Sequence, residues 1–163
     1  MNEKPDRTGG CQCGAVRYRL TGEPQMLYAC HCTDCQKQSS SAFGMSLIVS
    51  LDEVEFLQGR DLLKTWDTRG GDGVIRRCAF CPQCGSRIYH GSDRLDQPVS
   101  IKAGSLDDTG WLRPVAHIWL NSAQPWISVD PREFRCFAEE PKDEQALSDH
   151  QPVVARLELS VRQ

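Results

Sequence analysis

The sequence has no long apolar run. Stretches such as Leu47-Ile48-Val49 stop far short of the roughly 20 residues that a helical membrane span needs, and the first ten residues, MNEKPDRTGG, have no apolar segment of the signal-peptide kind. It also has no block of Lys or Arg. Its 19 basic and 22 acidic side chains leave a formal charge of −3, with no basic stripe to track a phosphate backbone. These absences predict a soluble cytoplasmic protein with neither membrane nor nucleic acid as partner, and they leave the oligomeric state open. Apolar residues at 39% and charged residues at 25% argue against disorder over most of the chain, and 163 residues suit one domain with a core of useful size.

The 13 glycines and 9 prolines punctuate many short segments of strand character. Val16, Tyr18 and Leu20 alternate with Arg17, Arg19 and Thr21, the period of a half-buried strand. Further strands are expected over 26–30, 44–50, 54–57, 62–66, 74–80, 99–103 and 116–120, so the chain reads as mainly β. One short helix is expected after Cys32, with Thr33 capping its start. The run Thr68 to Gly73 lacks the Lys-Ser/Thr ending of a phosphate loop and reads as a hairpin turn. Residues 1–137 are expected to form one domain. Residues 138–163 are expected to be an acidic linker, Glu139 to Glu144, followed by a strand-like tail in which Ala155, Leu157, Leu159 and Val161 alternate with polar residues.

Nine cysteines are the chain's chemical signature. A reducing compartment keeps them as thiols, and an odd number cannot pair fully within one chain. Eight fall in three clusters: Cys11 and Cys13; Cys30, Cys32 and Cys35; and Cys78, Cys81 and Cys84; Cys136 stands apart. Closely spaced thiolates place two sulfurs on one metal with little loop closure between them, which points to zinc. A redox role for Cys81-Pro82-Gln83-Cys84 would call for a βαβ context that is missing here. Spacing alone leaves open which clusters share an ion. If Cys11, Cys13, Cys81 and Cys84 close one site, Cys30, Cys32 and Cys35 remain as an open tripod, and a catalytic zinc is one that keeps a corner for substrate.

The runs Gly10-Cys11-Gln12-Cys13-Gly14-Ala15-Val16, Cys30-His31-Cys32-Thr33-Asp34-Cys35-Gln36 and Phe80-Cys81-Pro82-Gln83-Cys84-Gly85-Ser86, in that order, resemble the glutathione-dependent formaldehyde-activating enzyme family. The resemblance continues through Ala103 to Asp107, Pro114 to Trp119 and Pro125-Trp126, covering roughly residues 8 to 137. It implies a β-tent of several small antiparallel sheets around a structural zinc, with one short helix. It also implies two Zn²⁺ per chain: a structural ion on Cys11, Cys13, Cys81 and Cys84 and a catalytic, labile ion on Cys30, Cys32 and Cys35. The activity implied is that of a carbon–sulfur lyase of the S-(hydroxymethyl)glutathione synthase kind, adding formaldehyde to the glutathione thiol. The competing expectation is a non-catalytic zinc module of the same fold that binds a partner or acts like a chaperone.

Around the clusters, Arg76, Arg77, Arg87 and Lys37 are candidates to meet the two carboxylates of glutathione, each weighed against the ordinary role of a solvated side chain. His31 lies between two ligands on an extended segment and so points away from them, to pack or orient. His117, Trp111, Trp119 and Trp126 read as core or rim residues, Cys78 as a buried small apolar residue, and Asp34 and Gln36 as neighbours that cap the surface or touch Cys35.

Overall fold

The alternation at Val16 to Leu20 becomes a strand, β2 (Arg17–Leu20), with Tyr18 and Leu20 buried and Arg17 and Arg19 between exposed and buried. The computed structural model describes residues 7–69, 73–91 and 97–141. In it β2 pairs antiparallel with β1 (Arg7–Gly10) and β5 (Val54–Gln58) to make a small sheet. Gly9 lets this sheet close over Tyr18: a Cβ there would lie 2.5 Å from the tyrosine hydroxyl oxygen, which is hydrogen-bonded to Ser105 Oγ at 2.7 Å.

The larger sheet takes β3 (Met26–Cys30), β4 (Gly44–Ser50), β6 (Lys64–Arg69), β7 (Ile75–Phe80), β8 (Arg87–Gly91), β9 (Pro98–Lys102), β10 (Ala116–Ile118) and β11 (Arg135–Cys136). Their spatial order is β11-β10-β3-β4-β9-β8-β7-β6, antiparallel except where β10 pairs parallel with β3 and β11. The one α-helix among the described residues, α1 (Thr33–Ser39), follows β3. The protein is mainly β, and no helix among the described residues is long and apolar enough to cross a membrane.

Register sorts the larger sheet's side chains into two chemistries. Residues directly opposite one another share a face, and the next row along turns to the other face. One row runs Leu27, Leu47, Ile101, Tyr89, Ala79 and packs with Val49 and Val99 against Val16, Tyr18, Leu20 and Val54 of the small sheet. Each fully buried aliphatic side chain in that core contributes about 1.5–3 kcal/mol of apolar transfer. The flanking rows, Met26–Ile48–Ser100–His90–Cys78 and Tyr28–Ser46–Lys102, face the other way and are markedly more polar.

Seven expected strands form within a residue or two of their expected limits; the strand placed at 62–66 is shifted. Residues Arg60–Leu62 instead make a 3-10 turn, and β6 runs from Lys64 to Arg69 as the edge strand of its sheet with Trp66 54% exposed. β1, β8 and β11 were not expected. β6 and β7 pair antiparallel with Arg69 opposite Ile75; residues 70–72 of the turn expected at Thr68 to Gly73 lie outside the described residues. Beyond β11 the carbonyls of Phe137 and Ala138 accept hydrogen bonds from Leu120 N–H (3.0 Å) and Asn121 N–H (3.1 Å). The tail strand expected over 155–162 lies outside the described residues.

Candidate functional site

Two similar turns carry the first cysteine group. Cys11 follows β1, and its N–H donates to Val16 O at 3.0 Å; Cys81 follows β7, and its N–H donates to Ser86 O at 2.9 Å. Each turn is finished by a glycine with positive φ, Gly14 at +78° and Gly85 at +77°, whose N–H returns to the carbonyl of Cys11 or Cys81. The turns meet so that the sulfurs of Cys11, Cys13, Cys81 and Cys84 lie within 4.8 Å of one another. Sulfurs around a tetrahedral ion, each about 2.3 Å from it, lie about 3.8 Å apart. Cys11 to Cys13 is 3.5 Å and Cys13 to Cys81 is 3.8 Å. The surrounding donors also fit thiolates: Val16 N–H points at Cys11 Sγ from 3.2 Å, and the Ser86 hydroxyl and backbone N–H pull Cys84 down to about 5.

The second group is local. Cys30 ends β3, Cys32 precedes α1 and Cys35 sits in its first turn, with the three sulfurs again within 4.8 Å. Here the helix cap differs from expectation. Cys32, not Thr33, is the N-cap, and its Sγ accepts the N–H of Cys35 at 3.3 Å. Hydrogen bonds from the Cys30 and Cys35 thiols, then from backbone N–H groups, pull Cys32 down, while Cys30 is pushed up by the same neighbours. Negative charge therefore gathers first on the sulfur at the helix start. Either group could hold a metal ion.

The groups differ in what lies beside them. Cys30, Cys32 and Cys35 line a cavity of about 250 Å³ that side chains from the polar face of the larger sheet also line. β3 gives Tyr28, β4 Ser46, β9 Lys102, β8 His90 and β7 Cys78 and Arg76, while Ile118 and Trp119 border the cavity beside β3. His90, Lys102, Tyr28 and Ser46 were not singled out in the sequence; only strand register brings them to one place. Burial lowers the Lys102 ammonium, and the Cys35 thiolate opposes that shift. Burial, with the charges of Lys102, Arg87 and Arg76, pulls His90 down to about 3.

The structure separates the other candidates. His31 is fully buried and turned from the cavity; its Nε2 and His117 Nδ1 share a hydrogen bond at 2.9 Å, with Phe43 and Phe134 against the pair. The Gln36 amide donates to His31 O at 2.6 Å and Ser122 O at 2.8 Å, so it fastens α1 to the segment after β10. Asp34 lines the cavity. Among the basic residues, Arg76 reaches the cavity, Arg77 pairs with Asp67 at 3.0 Å, Arg87 donates to Gln38 Oε1 at 2.6 Å, and Lys37 borders a separate shallow groove with Trp126. Trp119 borders the cavity, Trp126 is 72% exposed, and Trp111 packs on the core beneath Arg7. Cys78 is buried, as expected, yet it lines the cavity.

Residues 6–122 match the model of the family described as "Glutathione-dependent formaldehyde-activating enzyme". A protein of Halomonas elongata, provisionally named as a glutathione-dependent formaldehyde-activating enzyme, is 27% identical over 141 residues, which are 83% of this chain and 88% of that protein. A solved Rhodobacter sphaeroides protein superposes with a TM-score of 0.46 at 17% identity, covering 80% of this chain and 98% of its own. With about seven-tenths of its length inside the family model, the chain belongs to the glutathione-dependent formaldehyde-activating enzyme family.

Proposed function

We propose that the protein is a zinc-dependent enzyme of the carbon–sulfur lyase class that joins formaldehyde to the thiol of glutathione, giving S-hydroxymethylglutathione in the cytoplasm. In this reading Cys11, Cys13, Cys81 and Cys84 hold a structural zinc, and Cys30, Cys32 and Cys35 hold the catalytic one. The observation that carries it is the contrast between the groups. Four sulfurs within 4.8 Å of one another are enough to enclose an ion in one, while three sulfurs in the other border a cavity large enough for substrate atoms.

Cys30, Cys32 and Cys35 would hold the zinc, which would lower the pKa of an incoming thiol so that it reacts as thiolate at neutral pH. The chain's own residues do the rest. The Cys35 N–H at the helix start donates to Cys32 Sγ, and Cys30 and Cys35 complete the ligand set. Arg76 and Lys102 bring positive charge to the cavity lining, which suits a substrate with two carboxylates and an ionised sulfur. The thiol releases its S–H proton to solvent, one carbon–sulfur bond forms, the carbonyl electron pair moves onto oxygen, and one proton from water finishes the hydroxyl. No electron carrier is required.

The test is the exchange rate between formaldehyde, glutathione and their adduct, followed by NMR with and without the zinc-loaded protein. The expected result is acceleration that scales with protein concentration and disappears in a Cys30→Ser variant. Exchange at the uncatalysed rate with two zinc bound would refute the activity.

A further inference from the structure

His90 is placed where an apolar residue would suit the fold better. It sits in the middle of the larger sheet, directly opposite Cys78 on β7 and Ser100 on β9. Its Nδ1 is fully buried without a hydrogen-bond partner, and so is the hydroxyl of Ser100 across from it. An unsatisfied buried polar atom destabilises by about 1–3 kcal/mol, so a residue kept in this state calls for a role other than packing. Nε2 is the ring nitrogen that retains surface, and His90 lines the cavity that the cysteine trio borders. Lys102, one strand over, lines the same cavity with no carboxylate partner among the described residues.

Two properties fix what this pair can do. Burial and the neighbouring cations keep the imidazole neutral. A buried lone pair left bare costs less than a buried N–H left bare, so the single ring proton belongs on Nε2, aimed into the cavity. The cavity that the trio lines therefore also presents a neutral N–H and an ammonium.

We propose that His90 Nε2–H and the Lys102 ammonium form an oxyanion hole that receives the carbonyl oxygen of the aldehyde as sulfur adds to its carbon. The proposal rests on the reading of the trio as the place where the thiol is held. As the carbon–sulfur bond forms, the carbonyl electron pair becomes a full charge on oxygen, and fixed donors favour that charge over the neutral carbonyl. His90 keeps its proton throughout, because it donates a hydrogen bond and transfers nothing; the proton that ends on the product hydroxyl comes from water. A neutral imidazole serves this purpose well, since it polarises the oxygen without adding a further cation beside Lys102 and Arg76.

His90→Leu removes the donor, while His90→Gln places an amide N–H near the position of Nε2. The measurement is NMR exchange on zinc-loaded full-length protein, with metal content and glutathione KM determined in parallel. The leucine variant should lose about 100-fold in kcat, the usual effect of removing one such donor, with zinc content unchanged and KM for glutathione within about twofold. The glutamine variant should recover to within about tenfold of the parent. If the leucine variant fails to fold, the glutamine variant decides alone: folded and active upholds the donor role, folded and inactive overturns it. A leucine variant at the parental kcat, or two variants equally slow, also overturns it while leaving the proposed activity in place. A parent protein without acceleration removes that activity, and this inference with it.

Discussion

At the scale of one residue, Cys32 carries two duties that can be separated by substitution. Its sulfur is a member of the trio and also the acceptor that caps α1. Serine is among the best N-caps but a poor zinc ligand at neutral pH, whereas alanine can do neither. Cys32→Ser is therefore expected to reduce bound zinc from two per chain to one while moving stability little. Cys32→Ala should lose the same zinc and about 1 kcal/mol more. Metal analysis beside urea titration distinguishes these effects, and a serine variant that keeps both ions would remove Cys32 from the ligand set. Across the strand, His31 shows why neighbours in sequence need not share chemistry: residues 30 and 32 turn toward the cavity, and residue 31 turns to His117.

At the scale of elements, the two sheets are tied by a small polar junction. Arg17 on β2 forms an ion pair with Asp107, Thr8 Oγ1 on β1 donates to Asp107 Oδ2 at 2.7 Å, and Asp107 N–H donates to Thr8 O at 3.0 Å. Asp107 follows the 3-10 turn Ala103–Ser105 that leaves β9, so the junction joins the small sheet to the larger one. The Arg17 guanidinium, then the Thr8 hydroxyl, holds the Asp107 carboxyl down at about 2 against an ordinary 3.8. Because the folded value is the lower, the carboxylate's contribution is complete above about pH 4 and is lost as the pH falls through about 2. The stability gap between the parent and Asp107→Asn should thus be constant near neutrality and shrink from pH 4 toward pH 2. Urea midpoints across that range check it, and a gap that does not change with pH would show that the ion pair contributes nothing.

How much of this was legible in the sequence follows from the same geometry. β3 and β4 were readable to the residue because each has Gly or Pro punctuation nearby and one strongly apolar face. β6 was misplaced because it is an edge strand with almost every side chain exposed, so no buried face marks its limits. β8 escaped because Arg87 and His90 interrupt its apolar pattern and a register shift falls at Ala79 and Phe80. The seven cysteines announced themselves by local spacing. The rest of the cavity lining had no such signal, since His90 and Lys102 belong to strands whose pairing is long-range and unmarked by either segment alone.

At the scale of the whole molecule, the two cysteine groups hold very different lengths of chain. Cys13 and Cys81, in sulfur contact, are 68 residues apart and connect the turn after β1 to the turn after β7, one on each sheet. The trio spans only Cys30 to Cys35 and pins the start of a seven-residue helix. Closing a long loop removes more entropy from the unfolded chain than closing a short one, and an ion that binds only the assembled site adds its binding free energy to folding. Losing the first ion should therefore remove several kcal/mol, a large part of the 5–15 kcal/mol that holds a domain together, whereas losing the second should leave the sheets intact. A chelator titration followed by circular dichroism and metal analysis should show one zinc leaving with no change in the β signal and the other leaving only with cooperative unfolding. Cys81→Ser should reproduce the second event at lower temperature. If both ions left together and the strands survived, the four-cysteine group would not be the staple between the sheets, and the core packed around Tyr18 would have to hold them alone.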